Sequence, residues 1–311
     1  MKKSDTRAVH GILLFDKPQG LSSNQALQLV RRLYGAAKAG HVGSLDPLAT
    51  GLLPICFGEA TKIAGLLLGS RKAYFTECRL GATTDTDDAE GRIVETRPTP
   101  PLDDDAIRSA LAALTGRIRQ VPPVYSAIKR DGEPLYRRAR RGESVDAPPR
   151  DVDVYEFRLI ERSPSTLRLF VECGSGTYVR SLVRDLGERL GCGAHVVSLR
   201  RLWVEPFREP GMIGLDELRR IAERGDRTAL DALLLPLERG LAGYPTVAVD
   251  AADASRLRQG QAIDAAGAAP GRCVALDERG RAVALAETGP DGRLRCLRGF
   301  NAVPGAVQPT A

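Results

Sequence analysis

The chain has 311 residues, 43% of them hydrophobic and 27% charged, enough to bury a sizeable core and long enough for two domains. No apolar stretch approaches the roughly 18 residues of a membrane span and no basic segment leads into an apolar run at the N-terminus, so membrane and secreted classes are set aside and a cytoplasmic protein is expected. Lys plus Arg is 45 against 39 for Asp plus Glu, and a pI near 9.1 favours a polyanionic partner only weakly.

In chain order, Ser22 and Ser23 precede Ala26, Leu27, Val30 and Leu33, a capped amphipathic helix that Gly35 would end. GHVGSLDPLATG at 40–51 follows, then AYFTECRLG, which alternates as a strand with Tyr74, Thr76, Cys78 and Leu80 on one face. TDTDDAEG at 84–91 reads as a polar turn, since Ala89 stands where a calcium loop needs Asp or Asn. The acidic run 103–105 starts a second helix, with Ile107, Ala110, Leu111 and Leu114 on its stripe.

Between Lys129 and Arg150 seven basic residues face four acidic ones, so this segment supplies +3 of the net +6. With Tyr136 interleaved, it reads as a phosphate-tracking arm or as a solvated helix face. TLRLFVECGSG then places Leu167, Leu169, Val171 and Cys173 on one strand face. GTYVRSLVRDLGERLG turns helical, with Val179, Leu182, Val183, Leu186 and Leu190 at core spacing. From Thr246 onward, short apolar runs broken by turns predict a small β-barrel or sandwich, with a domain boundary at Tyr244–Pro245 and a disordered tail from Pro304.

The cysteines Cys56, Cys78, Cys173, Cys192, Cys273 and Cys296 are scattered, with no C-x-x-C pair and no zinc-ligand spacing, so they read as reduced packing residues and no metal is expected.

The chemistry concentrates in GHVGSLDPLATG. Gly40 and Gly43 permit backbone angles closed to other residues, and Pro47 keeps Asp46 out of helical geometry, so the loop can present one carboxylate in a fixed pose. An Asp-Pro turn whose side chain caps the backbone is the plainer alternative. A phosphate-binding loop fails for want of a Lys-Ser or Lys-Thr after the glycines. A glycosidase would want a second carboxylate across the scissile bond, which nothing nearby supports. One-carboxylate chemistry on a nucleoside is the third possibility: moving a sugar from N1 to C5 of one uracil needs no redox group, metal or second substrate. It does need an extruded base, an aromatic face beneath it, a cation beside the acid and apolar walls.

Five blocks in order, DKPQGLSS (16–23), GHVGSLDPLATGLLPICFGEATK (40–62), AYFTECRLGATTDTDDAEG (73–91), QVPPVYSAIKRDGEPLYRRAR (120–140) and GSGTYVRSLVRDLGERLGCGAHVVSLRRLWVEPF (174–207), resemble the bacterial TruB family of tRNA pseudouridine-55 synthases. The resemblance implies an α+β fold: a mixed-sheet catalytic domain over 9–244 with a thumb insertion at about 120–150, a PUA-like RNA-binding barrel over 245–302, and a tail at 303–311. It implies conversion of uridine 55 in the T loop of tRNA, with no cofactor, the T stem-loop as partner, and a monomer without an obligatory protein partner.

By that resemblance Asp46 is the catalytic acid, Tyr74 stacks on the flipped uracil and is a candidate for a late proton transfer, and Arg180 pairs with the acid. His41 accompanies base extrusion, Tyr178 contacts the target nucleotide and Leu199 closes over the base. Lys17 is structural or phosphate-facing, and Arg137, Arg138, Arg140 and Arg141 of the thumb face the RNA backbone. Val42 and Ser44 depart from the threonines frequent in the family. Two other readings are kept: a guide-dependent relative acting on ribosomal RNA, and a tRNA-folding chaperone.

Overall fold

Why the site is rigid follows from the sheet that carries it. The computed structural model describes residues 6–301 apart from residues 70, 127, 131, 142, 144–146 and 266, so the tail expected at 303–311 lies outside the described residues. In chain order the first part contains β1 (Gly11–Lys17), α1 (Ser23–Leu33), β2 (Ala39–His41), β3 (Thr50–Phe57), α2 (Ala64–Leu68), β4 (Lys72–Leu80), β5 (Ala82–Thr84), β6 (Ile93–Thr96), α3 (Asp104–Ala112) and β7 (Gly116–Gln120). The arm contributes β8 (Lys129–Arg130), β9 (Glu133–Pro134) and α4 (Leu135–Arg140). There follow β10 (Arg150–Arg162), β11 (Thr166–Cys173), α5 (Val179–Arg189), β12 (Ala194–Val204), β13 (Ile213–Gly214), α6 (Leu215–Glu223) and α7 (Arg227–Ala232).

Nine strands form one mixed sheet in the order β13-β1-β3-β12-β4-β11-β10-β7, with β2 alongside β3. The β1–β13 and β3–β12 pairs are parallel and the remaining pairs antiparallel. Alternation marks β4 as expected: Tyr74, Thr76, Cys78 and Leu80 are buried, while Phe75 and Arg79 are exposed. No such alternation marks β1 (GILLFDK) or β3 (TGLLPICF), because both faces of these strands are covered and both sets of side chains are apolar. Leu13 and Phe15 enter the main core with α1, while Ile12 and Leu14 enter a second cluster on the opposite face.

The helices begin where the sequence signals them. Ser22 caps α1 in a reciprocal capping box with Gln25, and Gly35, at φ +59°, follows its last turn. Asp103 caps α3 through Ala106 N. A buried stripe of Val179, Leu182, Val183 and Leu186 seats α5 on the sheet.

A second sheet of five strands begins at Thr246: β14 (Thr246–Ala248), β15 (Ile263–Asp264), β16 (Gly271–Leu276), β17 (Ala282–Thr288) and β18 (Arg293–Gly299), in the order β14-β16-β17-β18-β15. Helix α8 (Ala251–Arg258) packs against it. Val274, Leu285 and Phe300 join Ile12, Leu52 and Ile63 in the second cluster, so this unit is pinned to the back of β1 and β3. Lys62 Nζ donates to Gly299 O at 2.9 Å across the same seam.

Gly187 shows how tightly α5 is seated, since a Cβ there would lie 2.2 Å from Ala194 N. An alanine inside a helix ordinarily gains about 1 kcal/mol over glycine. Here overpacking should reverse the sign, and Gly187→Ala is expected to lose about 1–3 kcal/mol in urea denaturation. A stabilised variant would show that the helix–strand approach can relax.

Candidate active site

The turn bearing Asp46 leaves β2 at His41 and enters β3 at Thr50, and it is tied down at both ends and in the middle. Ser23 Oγ, buried at the start of α1, accepts from Leu45 N at 2.7 Å and donates to Leu45 O at 3.0 Å. Gly20 N donates to Pro47 O at 2.8 Å. Lys17 is fully buried, and its ammonium donates to Leu21 O at 2.6 Å and Pro18 O at 2.9 Å, with Pro47 O at 3.5 Å. This corrects its assignment to the RNA backbone: Lys17 braces the turn from below, where no phosphate can reach it. Burial brings its ammonium down to about 8, opposed by the charge of Asp46.

From the other side comes Arg201 of β12, 1% exposed. Its Nε donates to Leu52 O at 2.7 Å, and Nη2 donates to Gly43 O at 2.9 Å and Val42 O at 3.3 Å. It stands opposite Tyr74 in the register of β12 against β4. Glycines permit this approach: a Cβ at Gly51 would meet Arg201 O at 2.1 Å, and one at Gly43 would meet Arg201 Nη1 at 3.2 Å.

Arg180, near the start of α5, faces the acid. Its Nε lies 2.9 Å from Asp46 Oδ2, off the N–H direction, so the contact is ionic more than a directed hydrogen bond. Nη1 donates to Thr86 O at 2.7 Å and stands 3.5 Å from Asp88 Oδ2, and Nη2 donates to Tyr125 O at 2.9 Å. The Arg180 and Asp88 side chains are buried, whereas Asp46 keeps 39% of its side chain open. The close protein surroundings push the Asp46 carboxyl above the ordinary carboxylate range; Arg180 pulls it back, Asp88 adds to the rise and Lys17 opposes it. The cation therefore restrains a shift that burial dominates.

Tyr74 is 7% exposed and Leu199 7%, both within the main core. In register, Leu199 stands opposite Thr76 and Arg201 opposite Tyr74, so all four occupy one face of the sheet. Burial raises the Tyr74 phenol to about 12 against the influence of Arg201, and the charge of Asp46 reaches it as well. His41 lies at the foot of the turn with Nδ1 buried and unpartnered, and burial lowers its imidazole below the usual range. Tyr178 is half-buried before α5; the fully buried Gln120 clamps its peptide, donating to Tyr178 O at 3.1 Å and accepting from Tyr178 N at 2.8 Å. The Arg150 guanidinium sits 4.8 Å from the Tyr178 ring centroid.

The structure thus pairs Asp46 with Arg180, with His41, Tyr74, Tyr178 and Leu199 on the elements around them. The arm arginines lie on α4 and the turn after it. Arg137 is exposed and makes no ion pair among the described residues. Arg138 pairs with Glu143 at 2.8 Å, and Arg141 with Glu133 at 2.6 Å and Glu143 at 2.7 Å. The side chains of Arg140 and Tyr136 fall outside the described residues.

Two functional residues escape the sequence reading. Asp88, inside the turn expected to be merely polar, is 3% exposed and flanks Arg180, while Asp87 pairs with Arg184 at 3.0 Å. Arg180 and Arg184 stand one helical turn apart, and that spacing, beside two consecutive acids, was the available signal. Arg201 shares its strand face with Leu199, yet the doubled RR hides which arginine turns inward; Arg200 pairs outward with Asp16 at 2.8 Å. Among the described residues no cluster suited to a metal ion occurs, and no helix is long and apolar enough to cross a membrane.

Comparison with known proteins adds the following. A family model described as TruB family pseudouridylate synthase, N-terminal domain, matches residues 31–179, and one described as tRNA pseudouridylate synthase B C-terminal domain matches residues 180–242. The chain is 56% identical over 301 residues to tRNA pseudouridine synthase B of Xanthomonas euvesicatoria pv. vesicatoria, covering 96% of this chain and 97% of that protein. It is 53% identical over 301 residues to the protein of the same name from Xylella fastidiosa, covering 97% and 99%. Among solved structures, a chain of a Cbf5–Nop10–Gar1 complex aligns with a TM-score of 0.70 at 24% identity, over 92% of this chain and 85% of that one. One of an H/ACA RNP bound to a substrate RNA containing 2′-deoxyuridine aligns with a TM-score of 0.72 at 21% identity, over 97% and 93%. At these identities the structural matches show a common fold.

The raised Asp46 carboxyl has a thermodynamic signature. An acid harder to ionise in the folded than in the unfolded state contributes nothing at low pH and lowers stability as pH climbs from the unfolded value through the folded one. Asp46→Asn should therefore match the wild type near pH 3 and gain in relative melting temperature as pH rises above the ordinary Asp value of about 4. Thermal melts across that range check it; a variant that loses ground with rising pH would mean that Arg180 outweighs burial.

Proposed function

Because the chain belongs to the TruB family of pseudouridylate synthases, we propose that it converts uridine 55 in the T loop of tRNA to pseudouridine, with Asp46 as its one catalytic acid. Isomerisation of uridine to pseudouridine in tRNA is the activity its family and its curated relatives carry. The ion pair of Asp46 with the buried Arg180, with Tyr74 and Leu199 buried on one face of the neighbouring strands, is the observation that supports this reading.

The reaction breaks the N1–C1′ bond, turns the uracil in place and forms C5–C1′; the C5 hydrogen leaves and N1 gains a proton, so atoms balance without a cofactor. A base extruded from the T loop stacks on the Tyr74 ring beneath Leu199, with His41 beside its path and Tyr178 against the nucleotide. Asp46 acts on the ribose or the ring while Arg180 keeps it ionised. The leaving group never departs, so no second carboxylate has to protonate it or activate water. Asp88 is engaged on the far side of Arg180 and tunes that cation.

The arm grips the T stem through its phosphates, and the small sheet beyond residue 245 acts as the PUA-like RNA-binding unit. Binding through phosphates is separable from the chemistry, so the same contacts would let the protein act as a tRNA-folding chaperone. A guide-dependent role on ribosomal RNA draws support only from solved structures whose likeness is one of fold.

Tritium release from a T-arm transcript carrying 5-tritiated uridine tests this reading, since forming the carbon–carbon bond expels that hydrogen. Wild-type protein should release tritium, a transcript with cytidine at position 55 should give none above background, and Asp46→Asn should lose about 10²–10⁴-fold or more while binding tRNA as tightly. Release by Asp46→Asn at the wild-type rate would make the carboxylate a turn cap.

For the arm, the ion pairs set an order among the arginines. Arg137→Ala should lower the slope of log affinity against log salt by about one unit. Arg141→Ala should lower it less, because Glu133 and Glu143 already neutralise that side chain. Filter binding at several salt concentrations measures both, and equal slopes in all three proteins would return α4 to a solvated face.

A further inference from the structure

Of the seven basic residues between Lys129 and Arg150, the last is turned toward the protein, with its Nε buried. The arm leaves the sheet at Gln120, the final residue of β7, and returns at Arg150, the first of β10, and the two stand opposite each other in register. The GSGTY loop between β11 and α5 meets both members of this pair and ends on Tyr178. Arg150 Nη2 donates to Gly176 O, and the guanidinium lies over the Tyr178 ring, 4.8 Å from its centroid. Gly176 sits at φ +86°, so a side chain there would strain the turn that brings its carbonyl to Arg150.

The peptide and the ring of Tyr178 are held by different partners. Gln120, fully buried, grips the peptide through Tyr178 O at 3.1 Å and Tyr178 N at 2.8 Å, which places the Cα but does not set χ1 or χ2. Among the described residues no hydrogen bond reaches the Tyr178 hydroxyl, and the cation over the ring is Arg150. Arg150 makes no ion pair among the described residues, and the acid beside it, Asp151, is engaged by Arg117 at 3.2 Å. A guanidinium without a carboxylate presents its whole charge to the negative face of the ring. A phosphate grip would want the opposite, an exposed side chain without backbone commitments, as at Arg137.

We propose that Arg150 is a positioning residue of the isomerisation: its guanidinium fixes the ring of Tyr178 against the target nucleotide, while its register partner Gln120 fixes the peptide. This rests on the reading of Asp46 as the acid and of Tyr178 as the residue against the nucleotide. Tyr178 stands two residues before Arg180, the partner of Asp46, so one short stretch of chain carries both the cation beside the acid and the ring against its substrate. A ring free to turn about χ1 would leave the extruded nucleotide without that wall while the acid stays in place, and the productive pose would be reached less often. The contribution therefore belongs to turnover, not to RNA affinity, which phosphates dominate.

Single-turnover tritium release with enzyme in excess, filter binding at several salt concentrations and near-UV circular dichroism test this in Arg150→Ala, Arg150→Gln and Arg150→Lys, with Tyr178→Phe, Tyr178→Leu and Asp46→Asn alongside. Arg150→Ala is expected to fold, to lose about 5- to 30-fold in maximal rate, and to keep tRNA affinity within about threefold at the wild-type salt slope. Arg150→Gln keeps a donor for Gly176 O without the charge and should lose as much; Arg150→Lys keeps the charge and should lose less. The loss caused by Arg150→Ala should persist in the Tyr178→Phe background, which keeps the ring face, and shrink to within about twofold in the Tyr178→Leu background. A wild-type rate in Arg150→Ala, a lowered salt slope, or an equal loss in the wild-type and Tyr178→Leu backgrounds would each overturn the positioning role, the second making Arg150 a phosphate contact and the third a prop of the loop through Gly176. If Tyr178→Leu releases no tritium, the charge decides: Arg150→Lys no faster than Arg150→Gln overturns the proposal, and a faster Arg150→Lys supports it. Should Arg150→Ala fail to fold, Arg150→Gln takes its place in each comparison. Wild-type release by Tyr178→Leu overturns the reading of Tyr178, release by Asp46→Asn overturns that of the acid, and the proposal falls with either.

Discussion

The Arg180 guanidinium is where the parts of the molecule meet. It is buried, and four groups from three segments answer it: Asp46 from the turn after β2, Thr86 O and Asp88 from the turn after β5, and Tyr125 O from the base of the arm. None of these segments is adjacent to another in sequence, and none has enough regular structure to hold its own shape. A buried cation left short of partners costs several kcal/mol, so each segment is held in place by the penalty for leaving. The helix that carries Arg180 is fixed in turn by the close approach of Gly187 to β12.

The charge balance around the acid follows from this. Asp46 faces Arg180 and Lys17 as cations and Asp88 as a like charge, and Glu90 is raised by both acids. Burial makes ionisation of Asp46 expensive, the cations make it affordable, and Asp88 keeps Arg180 from lowering it as far as a lone pair would. A carboxylate poised between these effects is more basic than a surface Asp, which suits either attack on an electrophilic carbon or removal of a proton.

Much of this could be read from the residues. The alternation of β4, the capping of α1 by Ser22 and of α3 by Asp103, and the core stripe of α5 are local patterns with local causes. The central strands β1 and β3 carry no such pattern, because burial on both faces erases the polar half of the alternation. In the site, the glycines and proline singled out the turn of Asp46 but left a turn cap open, and only the family resemblance set Arg180 beside the acid, where the structure places it. Lys17 stayed between a structural and a phosphate-facing role, because its burial depends on strands far away in sequence. Asp88 and Arg201 were hidden for a related reason: each is polar in a polar-looking segment, and only sheet register and helix docking decide that it points inward.

The base of the arm is tied to the same helix. Gln120 pairs with both polar groups of the Tyr178 peptide, Ser181 Oγ donates to Val121 O at 2.9 Å, Arg184 Nη2 donates to the same oxygen at 2.9 Å, and Arg180 donates to Tyr125 O. These five bonds tie Gln120, Val121 and Tyr125 to Tyr178 and the first two turns of α5. Among the described residues the arm also has a small apolar cluster of its own, Leu135 and Ala147 with Val124 and Ile128. The electropositive segment and the catalytic cation are thus anchored to one helix end. Through Tyr125 O the base of the arm meets Arg180, and through Gln120 it meets the Tyr178 peptide, so one helix start joins the arm to the Asp46 turn.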